Sequence, residues 1–504
     1  MAGCSLPSLD PRTQSVALSP EQAQTTPLGE AVAGRVAHHP GLSGIDPLAD
    51  ARASFAARME LAEAAKRTLD VQYYIWRDDL TGTLLLEALH EAADRGVRVR
   101  LLLDDNGIPS SLDPTLAALA AHPNIEVRLF NPFVVRSPKL LGFITDFSRA
   151  NRRMHNKSFT ADSTATIVGG RNIGDEYFDA TDGVLFADLD VLAVGPIASD
   201  VSHDFDRYWA SASAYPAKRI LAPAPPGELD VLARHADAIE RDPNAVAYID
   251  AIRDTPDVRE LLDGQLPFEW AKTVMVSDDP AKGLGNAPKE AKLLPQLQAI
   301  LGTPSHELDL VSPYFVPAKS GTAYFTDLAK RGIKVRVLTN SLEATDVVAV
   351  HSGYERRRPA LLRAGVELFE MKRLPGARGK ADKKGEEERR PFGSSGSSLH
   401  AKTFEVDGER VFVGSLNFDP RSANLNTEMG FVIDSPELAQ RIQTAFWQVA
   451  PQLAYEVRLD DRGRVYWIAH RGSETIRYDT EPNTTWTTRF SVWFFSILPI
   501  EWLL

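Results

Sequence analysis

Cysteine is nearly missing from this chain of 504 residues, where Cys4 stands alone. One thiol cannot close an internal disulfide or build a thiolate metal cluster within the chain. Also missing is a charge-free apolar run of about 18–20 residues, and with it a helix able to cross about 30 Å of hydrocarbon. Positive charge is in deficit: 56 Lys and Arg against 68 Asp and Glu give a net charge of −12. General nucleic-acid binders carry a basic domain or stripe, so no nucleic acid is expected as a partner. A small, deep basic pocket is compatible with the same balance. What is present is a globular composition, 43% hydrophobic and 25% charged, with length for two or three domains.

Residues 1–40 are rich in Pro, Ser, Ala, Gln and Thr without sustained period and read as an extension preceding the fold. Met1-Ala2-Gly3-Cys4-Ser5 resembles the end of a bacterial lipoprotein signal, although the charged and apolar regions that belong upstream are missing. Two readings stay open: a plain cytoplasmic start, or a start further upstream that leaves Cys4 lipid-anchored.

Beyond residue 40 the strongest large-scale signal is repetition at a domain-sized interval. Leu69-Asp70-Val71-Gln72-Tyr73-Tyr74-Ile75-Trp76 predicts a strand, residues 84–94 carry helical spacing, and Arg95-Gly96-Val97-Arg98-Val99-Arg100 opens a second strand after a glycine stop. Leu308–Phe315, a helix-like stretch after Gly321 and Arg331–Leu338 repeat the plan. The fold class is therefore α/β in two halves: a first domain over 41–215, a connecting insertion over 216–290 with no chemical motif, and a second domain over 291–455. Residues 373–398 hold too little apolar content to be buried and are expected to form a flexible loop. Residues 456–504 complete the chain with a predicted hairpin around Asp461-Arg462-Gly463 and an aromatic, apolar end from Trp486 to Leu504. That end either docks on the protein's own core or lies in a membrane interface.

Each half carries one chemical motif: His155-x-Lys157-x4-Asp162-x6-Gly169-Gly170-x-Asn172, then His400-x-Lys402-x4-Asp407-x6-Gly414-Ser415-x-Asn417. On a strand, residues two apart share a face, so His and Lys line one surface while Asn156 or Ala401 points away. The small pairs Gly169-Gly170 and Gly414-Ser415 let backbone approach a ligand, and Asn adds a neutral donor. One such spacing is open to coincidence; two copies are not. A metal centre is a poor account, because each motif offers one His and one distant Asp, and Lys is not a usual ligand. No metal or cofactor is expected. The set suits a phosphodiester: Lys157, Lys402, Asn172 and Asn417 orient the nonbridging oxygens as charge builds in a five-coordinate transition state. One neutral histidine attacks phosphorus, and the other, protonated, donates to the leaving alkoxide.

This duplicated motif resembles the signature of the phospholipase D superfamily, and the likeness spans both halves. It implies two pseudo-twofold-related phospholipase D-like α/β domains, each a mixed β-sheet flanked by helices, with the active site at their interface. By the same resemblance His155 is the nucleophile, His400 the general acid and base, and Asp162 and Asp407 are structural, as are the small residues Gly169, Gly170, Gly414 and Ser415. Carboxylates further downstream orient the histidines. The repeat matches Asp188-x-Asp190-Val191 to Asn426-x-Glu428-Met429, which makes Asp190 and Glu428 the candidates. Within the superfamily, Thr68–Trp76, Ser148–Lys157, Gly169–Gly174, Gly414–Ser422, Asn426–Phe431 and Ser496–Leu504 are similar to bacterial cardiolipin synthases of the C type. That similarity implies phosphatidyl transfer to phosphatidylglycerol, from phosphatidylethanolamine or phosphatidylglycerol, through a phosphohistidine. It also implies a peripheral bacterial membrane protein, whose side of the membrane turns on Cys4; a protein activator is invisible to the sequence. Phospholipid hydrolysis, with water as acceptor, is the alternative, and a nuclease of the same superfamily a more distant one.

Overall fold

The computed structural model describes residues 6–504 apart from 11, 137, 179–187, 244, 246–247, 251–256, 346, 374–398, 449, 473 and 499. Cys4 and, from 374 on, the expected flexible loop lie outside the described residues. The chain forms two compact units. The first takes in the described residues of 1–183, 190–295 and 425–431, the second those of 184–189, 296–424 and 432–504.

The first unit is built on a nine-stranded sheet. Its strands are β1 (Ser43–Leu48), β2 (Thr68–Tyr73), β3 (Arg98–Asp104), β4 (Ile125–Phe130), β5 (Ser158–Ala161), β6 (Ala165–Gly169), β7 (Asp190–Val194), β8 (Ala214–Pro216) and β9 (Glu269–Ala271). They lie in the order β8-β4-β3-β2-β5-β6-β7-β1-β9. β2, β3 and β4 run parallel, and β5 turns the sheet antiparallel. Alternation along β3 explains why both faces are covered. Val99, Leu101 and Leu103 pack with helices Ala51–Ala64 and Leu80–Asp94, while Leu102 packs with Phe205 and Trp209 of helix Pro196–Trp209. Arg100 shares the face of Leu102. It is neutralised there by Asp70, its partner across the β2–β3 register, through a two-pronged contact at 2.6 and 2.8 Å. A short strand β10 (Thr273–Ser277) follows β9.

The second unit repeats the plan. β11 (Glu307–Val311), β12 (Lys334–Asn340) and β13 (Glu367–Met371) are parallel. β14 (Thr403–Val406) and β15 (Arg410–Gly414) form an antiparallel hairpin beside β11. With β16 (Met429–Asp434), β17 (Ala454–Leu459), β18 (Val465–Arg471) and β19 (Glu474–Tyr478), the order is β16-β15-β14-β11-β12-β13-β17-β18-β19. Asp309 and Arg336 stand opposite each other across β11 and β12 as Asp70 and Arg100 do in the first unit. Arg336 lies 4.6 Å from the Trp447 ring on helix Pro436–Gln448, as Arg100 lies 4.8 Å from Phe205. A buried guanidinium needs a carboxylate and gains from an aromatic face, and each half meets the need in the same way.

Residues 6–40 do not behave as an extension. Thr26 caps helix Pro27–His38, and Leu28 and Val32 lie in the first unit's core. Thr13 and Ser15 accept hydrogen bonds from Arg128 and Arg100 through their carbonyls. The Pro and Thr that gave the stretch its loop-like composition are in fact helix-start chemistry, a Thr cap followed by Pro in the first turn.

Asp162 and Asp407 sit in matched turns with φ of 51° and 58°. Asp162 accepts the N–H groups of Lys66, Arg67 and Thr68 at 2.8–3.0 Å. Asp407 accepts those of Ser305, His306 and Glu307 at 2.7–3.1 Å, and these bonds hold its carboxyl below the ordinary range despite the opposing effect of burial. Each aspartate thus fixes the loop leading into β2 or β11. Asp162→Ala should cost about 2–4 kcal/mol in urea denaturation. Asp407→Ala should cost less, because solvent can replace part of what is lost. Asn at either position, which tolerates positive φ and keeps an acceptor, should restore part of the loss.

Candidate active site

The two His-x-Lys pairs lie in extended chain just ahead of β5 and β14, not inside the strands. Each is fixed by the last residue of a parallel strand. The Asp104 carboxylate, ending β3, accepts the N–H of Met154 at 2.7 Å. Asn340, ending β12, accepts the N–H of Leu399 at 3.2 Å and donates to its carbonyl at 3.1 Å. Each polar strand end therefore grips the residue immediately before a motif histidine. Burial pushes the Asp104 carboxyl up, against the pull of Arg153 beside it.

In the first unit, His155 Nδ1 lies 2.8 Å from Glu428 Oε2, and Glu428 is fully buried. The His155 N–H donates to the Thr427 carbonyl, and Thr427 N–H donates to the Arg153 carbonyl, both at 2.9 Å. The Tyr74 ring meets the imidazole edge-on at 5.2 Å. Lys157 is buried and donates to the His155 carbonyl at 2.5 Å. Asn172 takes the Ile75 N–H on Oδ1 at 3.1 Å, while its buried Nδ2 has no partner among the described residues. In the second unit, His400 Nδ1 lies 2.6 Å from Asp188 Oδ2, and Lys402 donates to the His400 carbonyl. Asn417 is buried, its Oδ1 without a partner among the described residues. Gly169 and Gly414 close β6 and β15, and Gly170 and Ser415 follow them, buried.

An acceptor carboxylate at Nδ1 requires a proton there. In the neutral imidazole the lone pair then belongs to Nε2. Both histidines are thus in the tautomer that a nucleophile or a proton carrier at Nε2 needs.

Glu428 stands where the repeat puts an orienting carboxylate; Asp190 does not. Asp190 opens β7, and its Oδ2 receives Ser54 at 2.7 Å and Arg58 at 2.8 Å, all of them buried. The carboxylate on His400 is Asp188, two residues earlier. The halves diverge because helix Ala51–Ala64 carries a buried cation, Arg58, which claims Asp190. The sequence held that signal as a lone arginine on an Ala-rich helix face.

The middle insertion, which carries no motif, supplies Asp278. Its Oδ2 accepts the Glu428 N–H at 2.9 Å, and its own N–H donates to the Glu428 carbonyl at 2.9 Å. Lys282 pairs with the same Oδ2 at 2.8 Å, and Leu293 N–H donates to Oδ1 at 2.9 Å. Burial pushes the Asp278 carboxyl up to about 6, with Lys282 pulling the other way.

Residues 59–209 and 297–450 match the family described as cardiolipin synthase, PLD-like domain. The chain belongs to that family. It is 50% identical to cardiolipin synthase C of Escherichia coli (strain K12) over 95% of this chain and 99% of the relative. It is 32% identical to an uncharacterized protein of Helicobacter pylori (strain ATCC 700392 / 26695) over 94% and 92%. Among solved structures, phosphatidylserine synthase of Haemophilus influenzae Rd KW20 superposes with a TM-score of 0.52 at 13% identity, covering 88% of each chain. That likeness shows the phospholipase D-type α/β fold.

Two sets of variants separate orientation from packing. Asp188→Asn and Glu428→Gln should lower kcat by about 10- to 100-fold or more with a small change in KM. Asp190→Asn should instead cost about 3–5 kcal/mol of stability by leaving buried Arg58 uncompensated. Asp278→Asn should lower kcat by about tenfold or more without raising KM, because it shifts Glu428 and touches no substrate. Since burial raises Asp278 from 3.8 to about 6, the folded state takes up the proton first. Its contribution to stability is full below about pH 4, falls as pH rises to about 6, and is flat above. Thermal melts across that window should show a shallower fall in Asp278→Asn.

Proposed function

We propose that this chain makes cardiolipin by phosphatidyl transfer, with His155 as nucleophile and His400 as general acid and base. The observation that carries this reading is that both motif histidines hold a carboxylate at Nδ1, which puts the lone pair of the neutral ring on Nε2. In the first half-reaction His155 Nε2 forms a bond to phosphorus and the bond to the donor's headgroup oxygen breaks. His400 gives that oxygen its proton. In the second, the glycerol hydroxyl of phosphatidylglycerol loses its proton to His400 and attacks phosphorus, and the N–P bond breaks to release His155. Lys157, Lys402 and the amides of Asn172 and Asn417 hold the nonbridging oxygens, where negative charge grows on the way to the transition state. Phosphatidylethanolamine or phosphatidylglycerol serves as donor, losing ethanolamine or glycerol. Water in place of the second lipid gives phospholipase D hydrolysis.

These lipids reside in bilayers, and the C-terminal helix Trp486–Ile497 suits a peripheral attachment. Among the described residues no helix is long and apolar enough to cross a membrane. This one turns Val492 inward and leaves Trp486, Phe490, Trp493, Phe494 and Ile497 exposed. Their spacing places all five on one helical face. Apolar surface of that kind, rich in Trp, matches the headgroup boundary of a bilayer. Leu504 is buried, and its carbonyl accepts the Arg421 N–H at 2.8 Å. The segment is thus docked by one side and open on the other.

Mixed-lipid product analysis should give cardiolipin that depends on added phosphatidylglycerol; phosphatidic acid as the main product would favour the hydrolase. His155→Ala should abolish the phosphohistidine, whereas His400→Ala should still form it from a donor with a good leaving group. An adduct on His400 in the wild type would reverse the roles. EDTA should leave activity intact, since in this mechanism the lysines supply the positive charge and the asparagines neutral hydrogen bonds. Trp493→Ser with Phe490→Ser should weaken binding to vesicles and activity on bilayers while sparing a soluble phosphodiester substrate.

A further inference from the structure

We propose that a basic groove in the second unit, beside the C-terminal segment, binds the headgroup of an anionic phospholipid at the bilayer surface. This rests on the interfacial reading of the C-terminal helix. The groove, of about 410 Å³, lies between helices Ala318–Lys330 and Arg358–Ala364. Four of its lining residues are cations, Lys319, Lys330, Arg357 and Arg363, and none is acidic. Small side chains, Ala323, Ala360 and Ala364, leave room between them. In a chain of net charge −12, such a one-signed lining marks a local field that selects anions.

Arg357 ties the groove to the C-terminal segment. Its guanidinium forks onto the Glu501 carboxylate at 2.7 and 3.0 Å, next to exposed Trp502. Lys319, Lys330 and Arg363 are exposed, with no carboxylate partner among the described residues. Lys330 and Arg363 occupy the last turns of their helices, where a cation is favoured by the helix dipole without any ligand. Lys319 is not explained that way: it lies in the first turn, where the dipole disfavours positive charge. An anion beside Lys319 relieves that repulsion, and Lys330 and Arg363 extend the positive lining along the groove. The lining hydroxyls of Thr322 and Thr326 donate to backbone carbonyls of their own helix, so recognition falls to the cations. A surface that offers aromatic residues to the headgroup boundary and cations beside them fits the phosphate of an anionic lipid more closely than a free ion in solution.

The test uses the full chain and its variant Lys319→Gln, Lys330→Gln, Arg363→Gln, exposed changes whose folding is checked by thermal melting. Co-sedimentation is measured with phosphatidylcholine vesicles and with phosphatidylcholine vesicles containing phosphatidic acid, which carries no headgroup alcohol to displace. Wild type should bind the anionic vesicles more tightly. The variant should lose about tenfold or more on those vesicles, match wild type on phosphatidylcholine alone, and keep full activity on a soluble phosphodiester. A variant that retains the anionic preference overturns the groove. Inorganic phosphate that abolishes the wild-type preference at constant ionic strength would identify a free-phosphate site and overturn the lipid assignment. If wild type binds neither vesicle, or Trp493→Ser with Phe490→Ser binds both as wild type does, it is the interfacial reading that fails.

Discussion

The bond between an imidazole Nδ1 and a buried carboxylate is the constraint on which the chemistry of this chain depends. It fixes the tautomer, aims the ring and stabilises the imidazolium when a proton arrives. Much of the surrounding structure holds those two bonds in place. Asp104 and Asn340 grip the residues before the histidines, Thr427 pairs with the His155 backbone, and Asp278 with Lys282 clamps Glu428 from behind. A carboxylate this deeply buried is tolerated because the imidazole on Oε2 and the two Asp278 bonds to its backbone offset part of the lost hydration.

The repeat builds one framework twice and then departs from it around the two histidines. The Asp–Arg pairs across β2–β3 and β11–β12, the aromatic faces over those arginines and the aspartate turns of the motif hairpins are near-copies. The environments of the histidines are not. His155 has a wholly buried Glu428 and the edge of Tyr74, while His400 has Asp188 in a more open position. The mechanism proposed above gives these two identical side chains different roles, and unequal surroundings are what that reading calls for.

The C-terminal helix is arranged against the usual logic of a terminal segment, with little apolar surface turned inward and much turned out. Leaving five large apolar side chains in water forgoes the burial that would stabilise a docked helix. The interfacial attachment proposed above would offset that cost, since the same face would be buried against a bilayer.

The sequence alone determined the two-half α/β plan, the twelve motif positions, six in each half from His155 to Asn417, and Glu428 as a carboxylate for a motif histidine. Each rests on a local spacing repeated at long interval. The partner of His400 was not decided by spacing. Asp188 and Asp190 are separated by one residue, and the repeat favoured Asp190; Arg58, more than a hundred residues away in the chain, took that carboxylate into the core. Asp278 was hidden for the same reason, since a lone aspartate in an insertion without a motif has no pattern of its own. Residues 6–40 were misread because capping residues and loop residues have the same composition, and only burial of Leu28 and Val32 tells them apart. Local periodicity records what a segment does with its own neighbours; which buried charge pairs with which is settled by desolvation, and that requires the whole unit to be folded.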